Sequence, residues 1–269
     1  MMQVMFYGMT GMSSDARIGG GYVPHILVSA ASLRLRTTFR KTHFPRHDTL
    51  FLDSGGFSFF YKRGDYPFTP EELAALSVRE GADFCAVMDY PCEPDTSRPS
   101  GLSTNRERID RTIENTRRCL RIPNVNWVPV IQGYTPDEYA YCVERLRNED
   151  LIRPFVAVGS LCVRKRTEDA WSILSLIRDL LPGTKLHGFG IDMRFLRDRR
   201  IKSALWSADT QAWGFNNRRW GLDRKGWRPK SMAERLANYA PYSAEVRRLL
   251  KMQEVPLETF ELPVHTKER

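Results

Sequence analysis

Carboxylates and amides that close short apolar runs are the residues here whose types and spacing suit chemistry. Thr49-Leu50-Phe51-Leu52-Asp53-Ser54-Gly55-Gly56-Phe57 begins as a buried strand does and ends in a carboxylate, a hydroxyl and two glycines. Such an ending delivers Asp53 to a rim and then turns, and the glycines let a ligand approach the backbone because no Cβ intervenes. Alone, Asp-Ser-Gly-Gly reads as an Asx-type turn. Later apolar runs end in a comparable way, at Asp89, Gln132-Gly133, Gly159-Ser160, Gly188-Phe189-Gly190 and Asp209. This set suits a purine. A guanine-like base offers two N–H donors on one edge beside a carbonyl acceptor. A carboxylate can take both donors, and an amide or backbone N–H can serve the carbonyl. Asp89 fits the first task, while Gln132 and the Gly159 N–H fit the second. Phe57 and Phe189 are placed to sandwich the ring. Asp53 and Asp209 then remain for covalent and acid–base work, as in retaining glycoside chemistry.

These residues need strand ends to hold them. Strand-length apolar runs recur at Val4–Gly8, His25–Ser29, Thr49–Ser54, Phe84–Asp89, Trp127–Gln132, Phe155–Gly159, Lys185–Gly190 and Ala204–Asp209. They are continuous rather than alternating, as in strands covered on both faces. Between them Thr69-Pro70-Glu71-Glu72 and Thr135-Pro136-Asp137-Glu138 each open a helix with a cap, a proline and acids in the first turn. The first runs to Gly81 and the second through Tyr139–Arg147. Further helices are predicted over Ser103–Leu120 and Thr167–Leu181, shorter ones over Ala30–Arg40 and Ile191–Lys202, and a terminal pair of helical turns or one broken helix over Ser231–Met252. This alternation predicts an α/β fold, a single-domain (β/α)8 TIM barrel spanning residues 1–269. Its irregular first unit is the Gly- and Ser-rich stretch from Gly8 to Pro24.

Composition narrows the class. The chain has 269 residues, 42% hydrophobic and 27% charged, as expected of one barrel-sized globular domain. No apolar run is long enough to span a membrane, and Met1–Tyr7 lacks the basic region of a secretory leader. Five cysteines without framework spacing (Cys85, Cys92, Cys119, Cys142, Cys162) read as free thiols in a cytoplasm, the host's if the source is a phage. Cys85 and Cys162 read as packed, and His187 as a hydrogen-bonded strand histidine. A formal charge of +9 favours an anionic partner. The basic insertion 218–230 follows the last strand. There Arg218, Arg219, Arg224, Lys225 and Arg228 interleave with Trp220 and Trp227, a mixture suited to phosphates and opened bases. The helical segment and tail at 231–269 follow it.

Six motifs in order resemble those of the tRNA-guanine transglycosylases: Asp53-Ser54-Gly55-Gly56-Phe57, Val87-Met88-Asp89, Val130-Ile131-Gln132-Gly133, Val158-Gly159-Ser160-Leu161, His187-Gly188-Phe189-Gly190 and Ser207-Ala208-Asp209. That family exchanges guanine in nucleic acid for a 7-deazaguanine on a (β/α)8 barrel. The resemblance implies Asp209 as the nucleophile at the sugar C1′ and Asp53 as general acid/base. It also implies Asp89, Gln132 and Gly159 as readers of the base edge, with Ser54, Gly133 and Ser160 beside them, and Phe57 and Phe189 on the base faces. The tRNA enzymes carry a structural zinc site late in the chain. Here no Cys follows Cys162, and Pro45 between His43 and His47 argues against a helical metal pair. No cofactor and no metal are therefore expected. Ser207-Ala208-Asp209-Thr210-Gln211-Ala212-Trp213 is most similar to the small zinc-free deazapurine DNA-modification transglycosylases of phages and bacterial modification clusters. The expected partners are DNA and a free 7-deazaguanine base, with no membrane. The alternatives are a zinc-independent enzyme acting on tRNA, a non-catalytic nucleic-acid-binding partner subunit, and a hydrolase that uses the same carboxylates with water as acceptor.

Overall fold

Short runs of Val, Ile, Leu and Phe pair side by side as parallel strands, with helices in most of the connections between them. The structure, a computed structural model, describes residues 5–7, 9–10, 23–35, 37–39, 44, 46–93, 102–210 and 232–250. The strands are β1 (Met5–Tyr7), β2 (Met9–Thr10), β3 (His25–Ser29), β4 (Thr49–Asp53), β5 (Phe84–Ala86), β6 (Trp127–Val128), β7 (Val130–Ile131), β8 (Phe155–Val158), β9 (Lys185–Gly188) and β10 (Ser207–Asp209). One parallel sheet has the order β1-β10-β9-β8-β7 and the other the order β2-β3-β4-β5-β6. The register sets Ser29 level with Asp53 and Tyr7 level with Asp209.

The run Trp127–Gln132, predicted as one strand, divides at Pro129. Proline has no N–H to give a ladder. Val128 pairs with Ala86 on one side, and Val130 pairs with Ala157 on the other. The Pro129 carbonyl still accepts from the Ala157 N–H. The run Val4–Gly8 gives Met5–Tyr7, which pairs with β10, and a second short strand that the sequence reading did not predict, Met9–Thr10, follows it and pairs with β3. The last strand is shorter than its apolar run, because Ala204 closes a helix and pairing begins at Ser207.

The helices are α1 (Ala30–Leu33), α2 (Gly56–Arg63), α3 (Pro70–Glu80), α4 (Asn105–Cys119), α5 (Pro136–Asn148), α6 (Thr167–Leu180), α7 (Met193–Leu196), α8 (Arg199–Ala204) and α9 (Met232–Leu250). Reciprocal capping boxes start three of them: Thr69 with Glu72, Thr104 with Glu107, and Thr135 with Glu138. The predicted helix Ala30–Arg40 stops after one turn. Arg34 bridges back to Phe39, and its guanidinium donates to the Pro67 carbonyl at 2.7 Å. The predicted helix Ile191–Lys202 is two short helices, opened by the side chains of Asp192 and Asp198. At the C-terminal side, α9 continues through Pro241 as one helix. The basic insertion 218–230 and the Gly19-Gly20-Gly21 run lie outside the described residues.

Helix α2 is absent from the sequence reading, because glycines at both ends disguise it. Gly55 caps it in the left-handed region at φ 83°, and Gly64 ends it at φ 79°. A Cβ at Gly55 would sit 2.8 Å from the Ala31 Cβ and 2.9 Å from the Phe59 ring. Glycine is therefore required there by both conformation and space. Gly55→Ala is expected to lower stability by on the order of 2 kcal/mol, combining left-handed strain with overpacking. Thermal unfolding checks this, and an unchanged melting temperature would contradict it.

Candidate active site

The strand ends converge on one cavity of about 410 Å³, within the roughly 300–1,000 Å³ range of small-molecule sites. Asp53, Asp89, Gln132, Gly159, Ser160, Phe57, Phe189 and Asp209 all line it. Two expected site residues do not. Ser54 is fully buried behind Asp89, and Gly133 lies against α5, where a Cβ would meet the Tyr139 N at 2.7 Å.

Asp89 lies just beyond β5 and is 7% exposed. Ser54 Oγ donates to its Oδ1 at 2.9 Å, and Gln132 Nε2 donates to its Oδ2 at 2.5 Å. Ser160 Oγ donates to Gln132 Oε1 at 3.0 Å and accepts from the Cys92 N–H at 3.1 Å. The chain of bonds fixes the Gln132 amide with its NH2 group toward Asp89. Burial raises the Asp89 carboxyl, and the Gln132 and Ser54 bonds oppose the rise. Ser160 adopts φ 55°, a strained conformation for serine, in order to place its hydroxyl. Tyr66, which the sequence did not single out, donates to the Asp89 carbonyl at 2.8 Å and lies 2.9 Å from Ser54 Oγ.

One expectation is corrected here. The Gly159 N–H does not face a ligand, because it donates to the Ile131 carbonyl at 3.0 Å as part of the sheet ladder. Its carbonyl accepts from the Tyr139 hydroxyl at 2.7 Å. What Gly159 contributes is space, since a Cβ there would lie 2.2 Å from Gln132 Nε2. Gly56 acts in the same way, as its Cβ would lie 2.4 Å from the Asp89 carbonyl oxygen.

Asp209 ends β10 at 6% exposure, and its Oδ1 accepts from the Gly190 N–H at 2.9 Å. His187, fully buried, stands behind it with Nε2 3.3 Å from the same oxygen. The other ring nitrogen of His187 bonds Ser207 Oγ at 2.8 Å, as read for a strand histidine. Rings of Tyr7, Phe51 and Phe189 surround the imidazole, with Phe51 at 4.9 Å and Phe189 at 4.8 Å between centroids. Phe189 thus presents one face of a braced aromatic cluster. Phe57, on the first turn of α2, is 50% exposed and rests on Tyr61.

Asp53 has a different environment. Its Oδ2 accepts from the Gly55 N–H at 3.2 Å. Burial and the charge of Asp89 push its carboxyl up to about 7, with Asp209 adding to the rise and bonds from Ser29 and Gly55 opposing it. Glu93, Cys162, Asp192 and Thr210 also line the cavity without having been read as site residues. Cys162, expected to be packed, is exposed and lines the cavity; Cys85 is buried as expected. Tyr242 on α9 is 2% exposed and packs into the hydrophobic core. Among the described residues no three His, Cys, Asp or Glu side chains are grouped as a metal ion would require, and no helix is long and apolar enough to cross a membrane.

The sequence profile of DpdA, deoxypurine in DNA protein A, matches residues 2–236, which include every strand and the cavity residues named above. The chain belongs to the DpdA family. DpdA is a tRNA-guanine transglycosylase-like family of DNA deazapurine modification, and membership supports a glycosyltransferase-type enzyme at that coarse level. No curated protein matches the chain at a significant level. The α/β fold with parallel sheets agrees with a DpdA domain of this type.

The raised Asp53 carboxyl has a consequence for stability. Its folded value of about 7 lies above the roughly 3.9 of an unfolded chain. The folded state therefore binds the extra proton between these values, and this group's contribution falls as pH rises through that window. Asp53→Asn removes the penalty. Its melting temperature relative to the unsubstituted protein is expected to rise between pH 4 and pH 7 and to level off above. Calorimetry across that range checks it, and a difference independent of pH would contradict it.

Proposed function

We propose that the chain exchanges guanine in DNA for a free 7-deazaguanine base through a covalent aspartyl-sugar intermediate. The observation that carries this reading is the division of labour among three carboxylates on one cavity. Asp89 is tied to an amide, Asp53 is held near the protonation midpoint at neutral pH, and Asp209 is set by a backbone N–H at the end of the last strand. In the first half-reaction an Asp209 oxygen attacks C1′ and the C1′–N9 bond breaks, its electron pair leaving with guanine. Asp53, protonated, gives its proton to the departing base. In the second half, the Asp53 carboxylate takes the N9 proton of the entering base. N9 then attacks C1′, and the bond from C1′ to Asp209 breaks. Protons and electron pairs balance between two carboxylates and two bases, so the scheme calls for no cofactor.

Asp89 would accept the two N–H donors of the base edge and the Gln132 amide would serve the carbonyl, with Phe57 and Phe189 on the ring faces. The backbone would be held by Arg218, Arg219, Arg224, Lys225 and Arg228, with Trp220 and Trp227 against opened bases. The same proposal takes the two sheets as halves of one closed (β/α)8 barrel. A single residue separates β1 from β2 and another, Pro129, separates β6 from β7. The β1–β2 stretch and the β6–β7 stretch thus each pair into both sheets, which is the connectivity a closed ring needs.

Labelled-guanine exchange in matched DNA and tRNA substrates tests the reading. Exchange is expected in DNA and not in tRNA. Asp53→Asn is expected to keep base binding and slow turnover by about 10²–10⁴, the usual scale of general acid–base catalysis. Exchange confined to tRNA, or Asp53→Asn turnover equal to that of the unsubstituted protein, would defeat it.

A further inference from the structure

Two loops leave the cavity wall side by side. The loop after β8 starts at Ser160 and Cys162, both cavity residues, and reaches Lys165 and Arg166, where α6 begins. The loop after β9 starts at Phe189 and Gly190 and leads through Asp192, another cavity residue, into α7. The two loops are packed and bonded together. A Cβ at Gly190 would sit 2.4 Å from the Cys162 Cβ, so they touch at the cavity itself. Further along, Arg194 of α7 donates from Nη1 to the Lys165 carbonyl at 2.6 Å and from Nη2 to the Arg164 carbonyl at 3.0 Å. Arg164, itself buried, donates from Nε back to the Ser160 carbonyl at 3.3 Å and also bonds the Tyr134 carbonyl. Two arginines thus direct their donors to backbone carbonyls and fix this loop from Ser160 outward. Its outer end presents Lys165 and Arg166, both exposed.

Charge changes sign between the cavity and this lip. Asp53, Asp89, Glu93, Asp192 and Asp209 line the cavity, and among the described lining residues there is no lysine or arginine. The acids near the lip already have partners. Glu168 pairs with Arg200 at 2.6 Å, Asp198 pairs with the same arginine at 2.7 Å, and Asp192 lies 3.5 Å from Arg194. Among the described residues no salt bridge engages Lys165 or Arg166. A nucleotide extruded from a stack brings a neutral base and a charged phosphate. An acidic, partly desolvated cavity repels the phosphate and admits the base, while exposed cations favour the phosphate. We propose that Lys165 and Arg166, braced by Arg194, bind the backbone phosphates that flank a nucleotide whose base occupies the cavity. This clamp follows β8, whereas the basic insertion 218–230 follows β10, so it is a second hold on the strand. It rests on the reading above in taking DNA as the ligand and the cavity as the pocket for the base.

The test measures binding of a guanine-containing single-stranded oligonucleotide by fluorescence anisotropy over a series of salt concentrations. The proteins compared are the full chain, the pair Lys165→Ala with Arg166→Ala, and the charge-keeping pair Lys165→Arg with Arg166→Lys. Two phosphate contacts on a single strand account for about 1.4 in the slope of log affinity against log salt. The alanine pair is expected to weaken binding and flatten the slope by about that amount, and the charge-keeping pair to retain most of it. Calorimetric binding of free guanine is expected to be the same in all three, since neither side chain lines the cavity. A slope unchanged in the alanine pair overturns the inference. So does a parallel loss of free-guanine binding, which marks a structural role, and so does an unsubstituted chain that does not bind the oligonucleotide. Labelled-guanine exchange into DNA by the unsubstituted protein separates the two possible failures. Normal exchange with an unchanged slope removes the clamp alone. A flattened slope without any exchange supports the clamp and removes the transglycosylase reading.

Discussion

The site depends on holding the Asp89 carboxylate out of water without leaving it unpaired. A buried carboxylate without partners costs several kcal/mol, and the usual remedy is to satisfy its oxygens or let it protonate. Here Ser54 takes one oxygen and Gln132 the other. Much of the surrounding sequence follows from that arrangement. Gly56 lets the Asp89 carbonyl and the Tyr66 hydroxyl approach the start of α2, and Gly159 leaves room for the Gln132 amide. Ser160 accepts a strained backbone in order to hold the amide's carbonyl. Buried polar networks are stabilising only when every member is served, which accounts for the density of bonds around this one side chain.

Asp53 and Asp209 are the same residue type in different surroundings, and the tasks proposed for them follow those surroundings. Asp53 sits among other carboxylates and is held near half protonation at neutral pH, which suits the proton exchange proposed for it. Asp209 is oriented by the Gly190 N–H and backed by His187, itself fixed by Ser207 and a shell of aromatic rings. The nucleophile's role proposed for Asp209 needs a fixed trajectory more than a tuned proton, and the bond from Gly190 with the packing behind His187 would supply one. The parallel register carries both groups to the same end of the sheets, since Tyr7 is level with Asp209 and Ser29 with Asp53.

The strand ends were legible in the sequence because continuous apolar runs and their polar terminators are local signals. Asp53, Asp89, Gln132 and Asp209 fell on one cavity for that reason. The helices with Thr-Pro and Glu caps were legible on the same grounds. Other features were set by tertiary contacts that no local pattern encodes. Tyr66 comes from an irregular loop and matters only because Gly56 brings it to Asp89. The Gly159 N–H looked available from its position, yet the neighbouring strand claims it. Glu93 follows Asp89 by four residues in a segment without periodicity, and only the turn that brings Cys92 to Ser160 puts it on the wall. Helix α2 was hidden by the glycines that its tight entry and exit require.

The most direct test of the account is to look for the bond it requires at Asp209. The protein is mixed with guanine-containing DNA, denatured without entering base and digested, and the peptides are analysed by mass spectrometry. The account predicts a deoxyribose-linked peptide containing Asp209, absent from Asp209→Asn, together with release of one guanine per adduct. Guanine exchange that proceeds normally in Asp209→Asn, or an adduct carried by Asp53 or Asp89 instead, would contradict it.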